Sequence, residues 1–378
     1  MYFAATPQIT IETEGDWRQL WPSGALLFTR ARFALFEGLA ALVRRRSVRR
    51  LWIPAYLCCP VLEAAAAAGL AVALYDIDET LAPRLATIEP EAGDALLVVH
   101  YFGLVAPPAR LRTFCAEHSL PLVEDCAHAL PDPGGHGAGS VGDIAVFSLR
   151  KLGPVPGGGL LVVGDARVRR ISAAPPPRLM PDGRTLGRLA IMLAERAAEA
   201  SGFNPMRAKN RLPVLDASHT TGRASSSMER NEYANSPRPS YLVRSMFDRT
   251  AWRRVIDRRR DAYRRLADHL ARVRELELVV PEPSRESVPE SFPVFVAEPR
   301  EIAVRLRRHG VEAMRWPGSE QFAFDRETFP GAAMWLERSV CLPLGTSLTP
   351  ERVAALAAAV RDAVTTSAPT PAPVARVA

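Results

Sequence analysis

PLVEDCAHALPDPGGHGAGSVGDIAVFSLRKLGPVPGGGLLVVGD, residues Pro121–Asp165, is the stretch whose reading decides the fold. Its first apolar run ends in Glu124 and Asp125, with His128 three residues on, and reads as a buried strand and its exit. A second run, Gly142–Leu149, has the same form and delivers Ser148 and Lys151 into the turn that follows. The glycines of PVPGGG then permit close backbone approach before a third buried run, Leu160–Val163. Ligands of open α/β sheets lie at the carboxyl ends of strands, so both polar exits can face one crevice.

Lys151 stands out in that crevice. Lys and Arg together number 48, yet only Lys151 and Lys209 are lysines. A guanidinium keeps its proton near neutral pH and cannot attack a carbonyl, whereas an amine with a lowered pKa can. Lys209 sits in a basic loop, where it reads as one more surface cation. Ser148 and Lys151, three residues apart beyond a strand, are suited to a phosphate and an aldehyde of one ligand.

Composition bounds the answer without deciding it. With 378 residues, 48% of them hydrophobic and 24% charged, the chain is an ordinary globular protein able to bury a large core. The net charge of +7 suits anionic ligands, but no nucleic-acid motif accompanies it and no nucleic-acid partner is expected. Five scattered cysteines without paired metal spacing point to reduced thiols, a cytoplasmic location and no metal. No signal-peptide order opens the chain, the longest smooth apolar run (Ala64–Tyr75) is too short to span a bilayer, and membrane contact is not expected.

Outward from the centre, Gln8–Glu12 reads as a short β-like piece and Thr29 as the N-cap of a helix through Phe33, Leu35, Phe36, Leu39 and Leu42. WIPAYLCCP is a strand breaking at Pro54, Leu62–Gly69 an Ala-rich helix, LAVALYDID a buried strand, and Val98–Gly103 another, with a structural His100 at its exit. Pro107–His118 is a helix. Residues 166–240 form a divergent insertion with one amphipathic helix, GRLAIMLAERAAEA, that covers the mouth of the crevice or a subunit contact. Tyr241 to about Arg274 reads as one long helix whose arginines form a solvated face. Strand, helix, strand and helix then make a small α+β unit before a tail of disordered composition.

Seven stretches carry a resemblance: Trp52–Asp78, Val98–Gly103, Val123–Ala129, Gly139–Lys151, Gly157–Val163, Arg258–Leu270 and Val340–Val353. In order and content they resemble the DegT/DnrJ/EryC1/StrS family of pyridoxal-phosphate (PLP) sugar aminotransferases, of fold type I. The resemblance implies an α/β fold: a large domain (1–240) with a mostly parallel sheet flanked by helices, a small C-terminal α+β domain (241–364), a tail (365–378), and a homodimer. It implies Lys151 as the catalytic lysine, Asp125 as the partner of the pyridine nitrogen, His128 at the phenolic oxygen, and Ser148, Ala31 and Arg32 at the phosphate. Cys58 falls where relatives carry an aromatic on the ring face, and Asn235 and Arg238 where a partner subunit reaches in. Arg32, Cys58, Gly157 in place of a common Glu, and the two-residue gap between Ser148 and Lys151 depart from the commoner pattern. The implied substrates are an amino-acid donor, glutamate foremost, and a keto-sugar nucleotide. Two rivals stand beside this reading: a PLP-dependent sugar dehydratase, in which a His replaces the lysine, and a non-catalytic regulatory or scaffold protein.

Overall fold

The computed structural model describes residues 3, 15–21, 24–165, 168, 177–201, 233, 238–318, 322–345 and 348–365. After a single turn, α1 (Trp17–Leu20), the chain builds β1 (Leu26–Phe28), α2 (Ala31–Arg46), β2 (Arg50–Pro54), α3 (Cys59–Ala67), β3 (Ala71–Tyr75), β4 (Asp94–Val99), α4 (Pro108–Glu117), β5 (Leu122–Cys126) and β6 (Ile144–Ser148). One helical turn, α5 (Leu149–Leu152), separates β6 from β7 (Gly159–Val163), and α6 spans Gly183–Ser201. These strands form one sheet in the order β1-β7-β6-β5-β4-β2-β3. From β6 to β3 every pairing is parallel; β7 and β1 add antiparallel pairings at one side. Every residue of β4, β5 and β6 is buried, as expected of parallel strands covered on both faces. This is the large, mostly parallel sheet the sequence implies.

Three segments differ from expectation. LAVALYDID is not a buried strand: β3 pairs only with β2, and as an edge it leaves Ala71 exposed. The run Val98–Gly103 ends as a strand at Val99 and turns into a short 3-10 segment, Tyr101–Gly103. The long helix breaks in two, α7 (Tyr241–Arg249) and α8 (Trp252–Leu270). Asp16 accounts for the break, because its carboxylate accepts the Trp252 and Arg253 backbone N–H groups at 2.8 and 3.1 Å and so caps α8. The interruption seats Trp252, fully buried, against Trp21 and Phe247. Gln8–Glu12 and residues 366–378 lie outside the described residues.

Beyond α8 come β8 (Glu277–Leu278), β9 (Ser291–Phe295), α9 (Pro299–Arg308), α10 (Pro330–Arg338), β10 (Ser339–Pro343) and α11 (Pro350–Thr365). The three strands form a separate antiparallel sheet in the order β10-β9-β8. Apolar faces of α8 and α11 pack on each other, with Leu266 and Leu356 fully buried.

The arginines of α8 do not all form a solvated face. Arg259 is 1% exposed, and its guanidinium donates to the carbonyls of Leu152 (2.9 and 3.1 Å), Lys151 (3.4 Å), Pro289 (3.1 Å), Glu290 (3.0 Å) and Leu344 (2.8 Å). Burial pushes its pKa down to about 10, which leaves it charged at neutral pH. Five donors in a planar fork fit this ring of carbonyls, and an ammonium does not. Replacing Arg259→Met should therefore cost about 3 kcal/mol or more, since the carbonyls lose a charge-assisted partner in a buried site. Arg259→Lys should restore less than half of the loss, both read as shifts of the urea unfolding midpoint.

Candidate active site

Sheet register brings the rim together. Asp125 lies beside Val146 on adjacent strands, Ser148 beside Gly159, and Gly159 beside Phe28. Because β7 is antiparallel, its first residue reaches the rim where β5 and β6 end. Gly158, at φ +105°, turns the chain into β7. A Cβ on Gly159 would stand 2.2 Å from the Arg30 carbonyl carbon and 2.3 Å from the Ala31 nitrogen, so a residue without a side chain lets β7 lie against the first turn of α2.

That first turn has no side-chain cap. Thr29 does not fill the role: its hydroxyl donates to the Arg238 carbonyl at 3.0 Å, and the extended residue before the helix is Arg30. The turn borders a cavity of about 270 Å³, a position suited to an anion. Ala31, Arg32, Cys58, Asp125, Ser148 and Lys151 all line this cavity. Among the described residues no aromatic side chain is on its wall; Cys58, just before α3, stands there.

Asp125 is 7% exposed, and its Oδ1 accepts the Ala127 N–H at 2.9 Å. Burial pushes the carboxyl above its ordinary value, while the Lys151 charge pulls the other way. A cation facing Asp125 would favour its ionised form. Lys151 sits in α5, half-buried, its backbone fixed through Arg259.

His128 is not on the cavity wall. Its Nδ1 accepts the Phe102 N–H at 3.3 Å and its ring meets Trp316 edge-on at 5.2 Å. Burial, and then the nearby charges of Lys151 and Arg150, hold its pKa well below 6.5, so the ring is neutral.

Alternation along β5 sends Glu124 to the opposite side from Asp125. Glu124 meets His100 at 2.9 Å, both completely buried, and accepts the N–H groups of Gly139 (3.0 Å), Val141 (3.0 Å) and Gly142. His100 Nδ1 accepts the Ala106 N–H at 3.2 Å, so Nε2 carries the proton and donates to Glu124. Burial pushes the Glu124 carboxyl up, but His100 and the loop N–H groups outweigh it and leave the carboxyl below its usual range. Cys126 lies close enough to make a three-ligand cluster with this pair. Both His nitrogens and both carboxylate oxygens are already engaged, His100 with Ala106 and Glu124, and Glu124 with His100 and the 139–142 loop.

Sequence reasoning missed Arg30, Arg150, Arg184 and Arg188, all on the cavity wall. In a chain so rich in arginine, residue type gave no signal; Arg30 and Arg150 come to the cavity with α2 and α5, and the placement of α6 brings Arg184 and Arg188. Asn235 lies outside the described residues. Arg238 is buried, with its guanidinium 4.5 Å from the Phe28 ring centre.

The residues present fit PLP: an amine, a buried carboxylate, an uncapped helix turn and Gly157 share one cavity. Residues 53–172 match the model of the DegT/DnrJ/EryC1/StrS aminotransferase family. A UDP-N-acetyl-3-dehydro-alpha-D-glucosamine 3-aminotransferase of Acidithiobacillus ferrooxidans is 32% identical over 127 residues, 31% of this chain and 34% of that protein. An L-glutamine:2-deoxy-scyllo-inosose aminotransferase of Streptoalloteichus tenebrarius is 31% identical over 170 residues, covering 36% of this chain and 39% of that one. The chain thus spans little more than a third of the length of the curated relatives it matches. The fold extends further: Helicobacter pylori PseC, an aminotransferase involved in the biosynthesis of pseudoaminic acid, superposes with a TM-score of 0.67 over 96% of this chain and 99% of that one, at 14% identity. The family resemblance read from the sequence is matched by these findings, and the fold is that of fold type I PLP aminotransferases.

Glu124 gives this site a defined acid response. Its folded-state pKa is below the unfolded value, so its contribution is present above about pH 4.3 and is lost as pH falls through the folded value. Glu124→Gln should lower stability at pH 7 by about 2 kcal/mol. The gap between variant and wild type should close steadily below about pH 4.3, as read from urea unfolding at each pH.

Proposed function

We propose that this chain is a PLP-dependent aminotransferase, moving an amino group from an amino acid, glutamate foremost, to a keto-sugar nucleotide. Such a reaction belongs to amino-sugar, surface-polysaccharide or secondary-metabolite biosynthesis. The observation that carries the reading is the meeting of Lys151, Asp125 and the uncapped turn of α2 on one cavity wall. The donors and acceptors in the names of the relatives, a UDP-linked dehydro-sugar and a glutamine-dependent inosose amination, support the reaction class.

When bound, the cofactor supplies an aldehyde that receives nitrogen and a ring that takes up the electrons left on a deprotonated carbon. The first turn of α2, at Ala31 and Arg32, would hold the phosphate together with Ser148. Asp125 would pair with the ring nitrogen and keep its proton in place. Cys58 would offer a ring face less stacking surface than an aromatic does. Nζ of Lys151 would be the group that holds the cofactor covalently and that takes the proton from the donor α-carbon. In the second half the same amine would return a proton to the carbon of the keto-sugar that accepts nitrogen. His128 positions the Phe102 backbone behind the site.

Lys151 counts against the dehydratase reading. Against a non-catalytic scaffold stands the alignment of amine, carboxylate and anion site in one cavity. Exposed apolar side chains on and near α6, Leu179, Met180, Leu186 and Leu193, support a homodimer that covers them. Five free cysteines suit a reducing cytoplasm. Among the described residues no helix is long and apolar enough to cross a membrane.

Glutamate added to the PLP-loaded protein should shift the cofactor absorbance to that of its amine form. Lys151→Arg should keep the fold, lose the visible band of the lysine-bound cofactor, and turn over about 10²–10⁴-fold more slowly. Unchanged turnover in that variant, or no absorbance shift with any amino acid, would refute the reading.

A further inference from the structure

The start of α6 is pinned over the cavity. Asp182 accepts the Thr185 N–H at 2.7 Å and lies 3.6 Å from Arg30, at the head of α2. Thr185 is 3% exposed and faces Gly157. Arg184 and Arg188, four residues apart, therefore share a helix face, and both line the cavity wall.

The described lining of this cavity is rich in cations: Arg30, Arg32, Arg150, Lys151, Arg184 and Arg188 stand on it, with Asp125 the carboxylate among the described lining residues. A phosphate brings about two negative charges. Arg30 and Arg32 stand at the α2 end of the cavity, each near a carboxylate, Asp182 at 3.6 Å and Glu63 at 3.5 Å. Arg184 and Arg188 belong to a different element. Guanidinium forks bind oxyanions in pairs of parallel hydrogen bonds and, unlike a second amine, cannot compete with Lys151 for an aldehyde.

We propose that Arg184 and Arg188 form a second oxyanion subsite, which takes a carboxylate or phosphate group of the substrate and selects anionic substrates over neutral ketones. The proposal rests on the aminotransferase reading and adds the residues that set substrate charge. In a two-stage transfer such a subsite meets the donor's carboxylate, the acceptor's phosphate, or each in turn.

Two unreactive probes test it on the PLP-loaded protein: glutarate for the donor's carboxylates and inorganic pyrophosphate for the acceptor's phosphates, each titrated by calorimetry and by cofactor absorbance. Arg184→Gln, Arg188→Gln and the double variant should bind PLP within about twofold of wild type. Each single variant should weaken at least one probe by about tenfold, and the double variant by more. Loss for pyrophosphate alone assigns the subsite to the acceptor, and loss for glutarate alone to the donor; both support it. Wild-type affinity for both probes in Arg184→Gln, whose exposed side chain makes misfolding no explanation, and in the double variant would overturn it. So would a loss of PLP affinity in step with the probes, which would put these arginines on the cofactor phosphate. If wild type takes up no PLP, the aminotransferase reading fails by itself, and calorimetry of pyrophosphate on the same variants still decides the subsite.

Discussion

A single buried cation holds the reactive end of this molecule in register. The Arg259 guanidinium, deep between the two sheets, satisfies carbonyls from α5, from the segment entering β9 and from the residue after β10. Taking a charge out of water costs several kcal/mol, and this arrangement offsets the cost only because every arm of the fork finds an oxygen. The partners are all backbone atoms. Side chains around them can vary while the turn bearing Lys151 stays fixed to the smaller sheet.

The rest of the site follows from strand periodicity. On β5 successive residues point to opposite sides of the sheet, so Glu124 and Asp125 enter two different environments. Glu124 spends its acceptors on His100 and the 139–142 loop, while Asp125 is left with one backbone partner and a burial cost. One carboxylate is consumed by structure and its neighbour is held ready for a cation. The same division separates His100, saturated by two hydrogen bonds, from the lysine across the sheet.

How much of this could be read from residues alone depends on how local each cause is. The strands β5 to β7 were legible because burial leaves continuous apolar runs, and the polar residues ending β5 and β6 marked the rim. Lys151 was legible because an amine is rare in this chain. Arg259 was not, since sequence pattern cannot tell a buried arginine from its solvated neighbours Arg258 and Arg264; only carbonyls from distant segments make the difference. The break before Trp252 depends on Asp16, more than two hundred residues away. His128 has the expected spacing, but its packing against Phe102 and Trp316, from two distant segments, could not be read from that spacing. The α6 arginines were hidden in the least familiar segment, where no motif recorded that the helix lies over the cavity.

The scarcity of lysine has a practical side. With two ε-amines in the whole sequence, and Lys151 on the cavity wall, amine-directed reagents such as succinimidyl esters have almost no competing surface targets. The extent of acylation at residue 151, followed by peptide mass mapping, becomes a direct gauge of pocket occupancy in crude mixtures, without a substrate in hand.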